Sequence, residues 1–254
     1  MPFIREFEEG IVQPIERLLE GHYLTEQFFQ GHLYLAIAAD KSFPGMDIER
    51  PNGGMTTLDA KALGRLCMIP DEYVVSNLRR HERGPIPAGI AIQSTGPFLP
   101  EGSENCTVLY REAELAGTAL DSLYVASLYL SPDAPDRLGT VGVGLMAVSA
   151  YRLGFQRIRL FAAGRGPVDP EGYMGFDFWP KVGLDAPLLP VDLNRSGAQH
   201  LQGCQSIQDV RQRDPAWWPN RGWPCDMCFD LTAGSRSWRV LLEYLFATLA
   251  GDAK

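Results

Sequence analysis

A mixed α/β fold, with a central mixed sheet flanked by helices and a helix-rich N-terminal extension, is what this sequence predicts, on three observations. Its 254 residues are 45% apolar and 21% charged, the balance of a chain with a real core and not of a disordered one. Apolar residues recur at helical spacing where the chain opens and where it closes. Between these ends, Leu123 to Gly164 reads as strand, loop, helix, strand, and a crossover of that length implies two parallel strands with the helix on one face of the sheet.

The elements follow in chain order. Phe3, Phe7, Ile11, Ile15, Leu18 and Leu19 are spaced as in an amphipathic helix, and Gly21 stands where it would stop. From Gly31 a short apolar run leads into the turn-rich Asp40 to Gly45, which suits a buried strand or a short buried helix. Thr57 to Met68 and Asp71 to Arg83 read as two helices broken at Pro70, with Asp71 in the first turn of the second and Arg79, Arg80 and Arg83 near its end. Gly84 to Gly102 is a Gly- and Pro-rich loop system around one strand, Gly89 to Gln93, and divides residues 1–100 from residues 101–254. Cys106 to Glu112 and Leu123 to Leu130 have the Val, Tyr and Leu content of neighbouring antiparallel strands. After Pro187 the chain is turn-rich, until Trp238 to Leu249 closes it as an apolar helix with Ser235 or Ser237 at the N-cap.

The formal charge of −8 argues against wholesale binding to nucleic acid or anionic membrane, because phosphate contact needs a basic footprint. No run reaches the length of a membrane span, about eighteen apolar residues, and charged residues from Arg5 to Glu16 occupy the place of a secretory core. A cytoplasmic protein with reduced thiols is expected, since five scattered cysteines make no disulfide framework.

The informative segment begins where the strand from Leu123 ends at Ser131-Pro132. Then come Arg137 and glycines 139, 142 and 144, a nearly all-apolar run from Leu145 to Leu153, Gly154 as a stop, and a second strand from Ile158 to Ala163. A glycine-rich loop opening a helix can offer the helix's first N–H groups to an anion, since they have no partner within it. The same glycines equally serve a tight turn and close helix packing. No Gly-Lys-Ser/Thr follows, which excludes a Walker loop, and no acidic residue lies about twenty residues on to hold a dinucleotide's ribose. From Leu145 through Val168 there is no Asp or Glu, while Arg152, Arg157, Arg159 and Arg165 are present, so the local charge suits a ligand with several phosphates.

These residues resemble the GNAT superfamily of acyl-CoA-dependent N-acyltransferases. The likeness lies in Gly139-Thr-Val-Gly142-Val-Gly144 opening an apolar helix, in Gly154-Phe155 and the strand after it, and in Phe178-Trp-Pro-Lys-Val-Gly-Leu184 further on. It covers roughly Thr107 to Leu188. The resemblance implies that backbone amides of Val141, Gly142, Val143, Gly144 and Leu145 bind the diphosphate of an acyl-CoA co-substrate, with Arg137 and Gly139 beside them. It also implies that the pantetheine arm lies between two splayed strands, that an amide on the strand ending at Leu130 polarises the thioester oxygen, and that no metal is required. Gly139 stands where the family has Gln or Arg, and Arg137 is the nearby substitute. The family's tyrosine, which protonates the departing thiolate, falls at Trp179, whose indole cannot do that work; Tyr173 is the nearest phenol upstream. Tyr124 and Ser127 are further candidates for the cleft, although period-two alternation places them on opposite faces. Glu112, Glu114 and Asp121 flank the strands and none is assigned as a base. Asp177 and Asp185, in turn-forming sequence, are read as turn residues.

His200, Cys204, Cys225 and Cys228 carry the spacing of a structural zinc site, weighed against cysteines that are small core residues. No Gly-x-Ser-x-Gly or His-Glu-x-x-His occurs, which removes two hydrolase classes. Trp217, Trp218 and Trp223 are either a substrate wall or filler in a loop-rich region, the latter preferred. The expected activity is transfer of an acetyl or other acyl group from acyl-CoA to an amine of a small molecule or protein. The alternatives are a catalytically inactive binding or scaffold protein, and an effector that acylates a protein or an aminoacyl-tRNA.

Overall fold

The computed structural model describes residues 2–36, 38–51, 53–80, 86–112, 120–165, 172–195 and 198–251. Helix α1 (Pro2–Phe7) passes through a π-helical turn, Glu8–Val12, into α2 (Gln13–Glu20), so the opening run is helical as its spacing predicts. It buries Phe7, Val12, Ile15 and Leu19, and Gly21 closes it by donating its N–H to the Arg17 carbonyl at 3.1 Å. Next come α3 (Tyr23–Phe28), β1 (Tyr34–Leu35), β2 (Ala38–Ser42), the antiparallel pair β3 (Met46–Glu49) and β4 (Met55–Leu58), and α4 (Ala60–Leu66). Asp59 caps α4 by accepting the Ala62 N–H at 2.7 Å, which starts that helix later than the sequence reading had it.

The second helix expected in this region, Asp71 to Arg83, is instead β5 (Val74–Arg80), and Arg83 lies outside the described residues. Asp71 does not serve a helix start. Its carboxylate accepts the N–H groups of Gln30 at 3.0 Å, Gly31 at 2.7 Å and His32 at 2.8 Å, fixing a turn some forty positions away in the chain. α4 ends at Leu66, where Met68 turns left-handed at φ 56° and Ile69 donates to the Gly64 carbonyl at 2.7 Å, and the β-branched Val74-Val75 pair then goes between β1 and the following strand. That strand is β6 (Gly89–Thr95), followed by β7 (Asn105–Tyr110), β8 (Ser122–Ser127), α5 (Leu138–Leu153), β9 (Arg157–Ala162), α6 (Gly175–Lys181), α7 (Pro190–Arg195), α8 (Ile207–Arg213), α9 (Trp217–Arg221), β10 (Cys225–Asp230) and α10 (Arg236–Leu249).

One eight-stranded mixed sheet runs β10-β9-β8-β7-β6-β5-β1-β2. Its neighbours are antiparallel except β8 with β9 and β1 with β5. The β8–α5–β9 crossover is the parallel unit that its length implied. Residues before 101 contribute four strands of this sheet, so the two halves of the chain share it. The large core lies on the α5 side, where α2, α4 and α10 also pack. α5 is buried on nearly every side, which explains an apolar sequence without an amphipathic stripe. A smaller cluster, Ala91, Cys106, Val108, Tyr110 and Tyr124, occupies the other face. Arg152 at the end of α5 binds Glu16 at 2.8 Å and Glu8 at 2.7 Å, tying the opening helices to the crossover helix. Among the described residues, no helix is long and apolar enough to cross a membrane.

Candidate functional site

The parallel pairing of β8 and β9 runs from Ser122 opposite Arg157 to Val125 opposite Leu160 and goes no further. Beyond that point β9 stays with β10 as far as Ala162, while β8 stays with β7 as far as Ser127 opposite Cys106. The β7–β8 register shifts between Cys106 and Thr107, leaving Ala126 as an extra residue in β8. This bulge bends β8 where its bonds to β9 end, and a cavity of about 630 Å³ fills the opening. Val125, Leu128 and Leu130 line it from β8 and its extension, Leu160 and Phe161 from β9, Gly139 and Thr140 from α5, and Tyr173 and Trp179 from around α6.

At the α5 end, the glycine loop expected up to Leu145 is already helix. Arg137, in a left-handed conformation at φ 67°, occupies the N-cap, and the helix begins at Leu138. Val141 donates to the Arg137 carbonyl at 3.0 Å, and the amides of Gly142, Val143, Gly144 and Leu145 belong to the regular helical ladder beneath buried side chains. They are therefore not the diphosphate ligands that the resemblance implied. A side chain on Gly142 would press on Met68, and one on Gly144 on Leu19 and Leu245, so these glycines serve close packing. Earlier in the turn, Leu138 donates to the Pro135 carbonyl at 3.1 Å, whereas the Gly139 and Thr140 N–H groups have no acceptor among the described residues. Both residues line the cavity at the positive end of a 16-residue helix. Arg137 lines it too, and its charge, after burial, is the second cause holding the His22 imidazole below its usual range.

On the strand side, Tyr129 donates to Asn105 Oδ1 at 2.6 Å and accepts from Asn105 Nδ2 at 3.2 Å, so one side chain prolongs the β7–β8 ladder past its last backbone pair. The Tyr129 N–H is thereby turned toward β7, and alternation turns those of Leu128 and Leu130 the other way, toward the gap. Neither has an acceptor among the described residues. The strand proper stops at Ser127, short of the expected Leu130.

The catalytic candidates are dispersed. Ser127 lines the cavity, but its hydroxyl donates to the Glu104 carbonyl at 2.9 Å. Tyr124 does not line it and packs in the smaller cluster. The alternation that separated these two fails because of the bulge: Tyr124 stands opposite Val108 and Ser127 opposite Cys106, so both belong to the same face. Tyr173 stands at the cavity mouth, where Gly164, at φ +94°, leaves room for its carbonyl, and Phe176 donates to the Ala163 carbonyl at 2.9 Å. Trp179 is buried against the cavity with the Phe178 ring 5.2 Å away.

The carboxylates resolve into separate duties. Glu112 accepts from Arg159 Nη1 at 2.8 Å and from the Tyr110 hydroxyl at 2.8 Å, and Asp121 accepts the Glu112 N–H at 2.8 Å. Asp177 pairs with Lys181 at 2.5 Å, and Asp185 accepts the Ala186 and Gln208 N–H groups at 2.9 and 3.0 Å, so both are structural. Glu114 lies outside the described residues. Sequence reasoning passed over Thr140 and Phe161, which line the cavity, since nothing in a strand's composition marks where its pairing stops.

The zinc candidates are not brought together. Cys225 and Cys228 are three apart on β10 and therefore point to opposite faces, Cys204 is buried in the core, and His200 Nε2 lies 3.0 Å from Asp214. Burial pushes the Cys225 thiol up to about 12 and the Cys228 thiol up to about 11, so both stay protonated near neutral pH. Trp217, Trp218 and Trp223 pack on one another, and Trp218 Nε1 donates to the Phe176 carbonyl at 2.7 Å, the filler role. No protein-family model, curated protein or solved structure matches the chain.

Proposed function

We propose that this chain transfers an acyl group from acyl-CoA to an amine, on a fold of the GNAT kind. One observation carries the reading: the gap between the parted parallel strands and the two unclaimed amides at the start of α5 open onto a single cavity. Gly139 and Thr140, with the Arg137 guanidinium, would hold the diphosphate. The Leu128 and Leu130 amides would bond the extended arm of the co-substrate and the thioester oxygen, a preorganised donor where negative charge develops. The neutral amine nitrogen attacks the thioester carbon, the C–N bond forms, the C–S bond breaks, the nitrogen gives up its extra proton to solvent, and the leaving thiolate takes up a proton in balance. Tyr173 is the phenol at the mouth of the cavity and serves that protonation. Holding both reactants in one gap supplies orientation.

Calorimetric titration with CoA and acetyl-CoA tests binding, and thiol release in the presence of amines tests turnover. Micromolar CoA binding that Gly139→Val weakens supports the reading; absence of CoA binding sinks it. A second reading, a protein that binds the co-substrate without turning it over, is favoured by buried Trp179 at the position of the family's tyrosine. CoA binding without thiol release in any amine pool would select it.

A further inference from the structure

The gap has a second side. On the face away from the large core, the end of the β8–β9 pairing is ringed by Tyr124, Arg159, Phe161 and Asp226, which share that face because Tyr124 is paired with Arg159 and Phe161 with Asp226. Ala126, which lines the gap, packs on the same cluster as Tyr124 and makes the two sides continuous.

The charges on this face are unevenly matched. Arg159 is bound by Glu112 at 2.8 Å, and Arg157 stands directly opposite Asp230. Asp226 is the carboxylate left over: it is exposed and has no ion pair among the described residues. Beside it the Phe161 ring is 50% exposed, an apolar surface at the very edge of the gap. Tyr124 is only 6% exposed, yet its hydroxyl has no hydrogen-bond partner among the described residues and is not sealed from solvent. Burial, and then the Asp226 carboxylate, push its phenol up, against the pull of Arg159.

We propose that this face binds a primary aliphatic amine in its cationic form, with the ammonium between Asp226 and the Tyr124 hydroxyl and the carbon chain on Phe161. Naming that amine the acyl acceptor rests on the acyl-transfer reading, in which the bound ammonium first gives a proton to solvent so that its nitrogen lone pair can attack; the binding itself does not.

The test is titration of 1,5-diaminopentane, followed by NMR shifts, into the wild-type protein, Asp226→Asn and Tyr124→Phe, with and without CoA, and with glutamate as the anionic control. The wild type should bind the diamine and not glutamate. Asp226→Asn should weaken binding about tenfold or more, the usual effect of losing a charged hydrogen bond. Tyr124→Phe should weaken it less and leave the melting temperature unchanged, since the hydroxyl bonds nothing within the protein. Unchanged diamine affinity in Asp226→Asn, no diamine binding in the wild type under either condition, or competition by glutamate would overturn the proposal. Diamine binding without any CoA binding would retain this site and remove the acyl-transfer reading; CoA binding without diamine binding would do the reverse.

Discussion

Gly139 and Gly144 sit five residues apart in α5 in opposite surroundings, the first against the cavity and the second in the core. Around Gly144, a Cβ would stand 3.0 Å from Leu19 and 3.2 Å from Leu245, within a core that has no slack. Gly144→Val should therefore cost about 2 kcal/mol of stability in urea unfolding, as overpacking does, and should affect ligand binding only through that loss. Gly139→Ala meets only the flexible end of Leu130, at 3.0 Å, and gains helix propensity, so its stability should match or exceed the wild type's while CoA affinity falls. Equal effects of the two substitutions on binding would contradict this division. Asp185 offers a test by pH. Burial raises its carboxyl above the ordinary 3.8, outweighing the hydrogen bonds from Gln208, Ser206 and Ala186 and the charge of Arg236. The folded protein thus holds this proton more tightly than the unfolded chain, so the group's contribution is most favourable at low pH and is lost as pH rises from 3.8. Asp185→Asn should flatten that decline, read from unfolding curves across the acid range; an unchanged slope would show that the carboxyl is not raised.

Elements with local causes were legible in the sequence. Helical spacing before Gly21 and Gly154 as a left-handed cap depend on neighbours within a few positions, the β8–α5–β9 crossover depends on one contiguous segment of suitable length, and all are present. β5 was missed because its partners, β1 and β6, and the turn that Asp71 organises lie elsewhere in the chain, where spacing carries no signal. The start of α5 was missed for a related reason: glycines look like a loop until Met68, Leu19 and Leu245 are seen packing against them. The candidate site was half legible. The neighbourhood of Arg137 and Gly139 could be read, but the bulge at Ala126 and the place where β8 leaves β9 are properties of pairing. The Arg152 clamp belongs to this scale too, joining α5 to both parts of the opening helix. Arg152→Met should lower stability by about 1 kcal/mol at low salt and by less in 1 M salt, because the partners are partly exposed. A loss independent of salt would assign the effect to packing instead.

For the molecule as a whole, fold class was readable from the alternation of strand and helix, and the joining of the sheet was not. A division at residue 100 suggests an appendage and a core; the sheet crosses that division, with β6 paired to β7 along six registered positions from Gly89 opposite Tyr110 to Ser94 opposite Asn105. Every residue of β7 is buried. Amputating the first hundred residues would thus strip one flank from a strand made only for the interior and leave a row of bare amides and carbonyls ready to recruit a second copy. A fragment spanning 101–254 is expected to emerge from size-exclusion chromatography as multimers or to precipitate. A well-folded monomer would mean that the two halves are separable after all. The chain's first hundred residues are, in this sense, a splint.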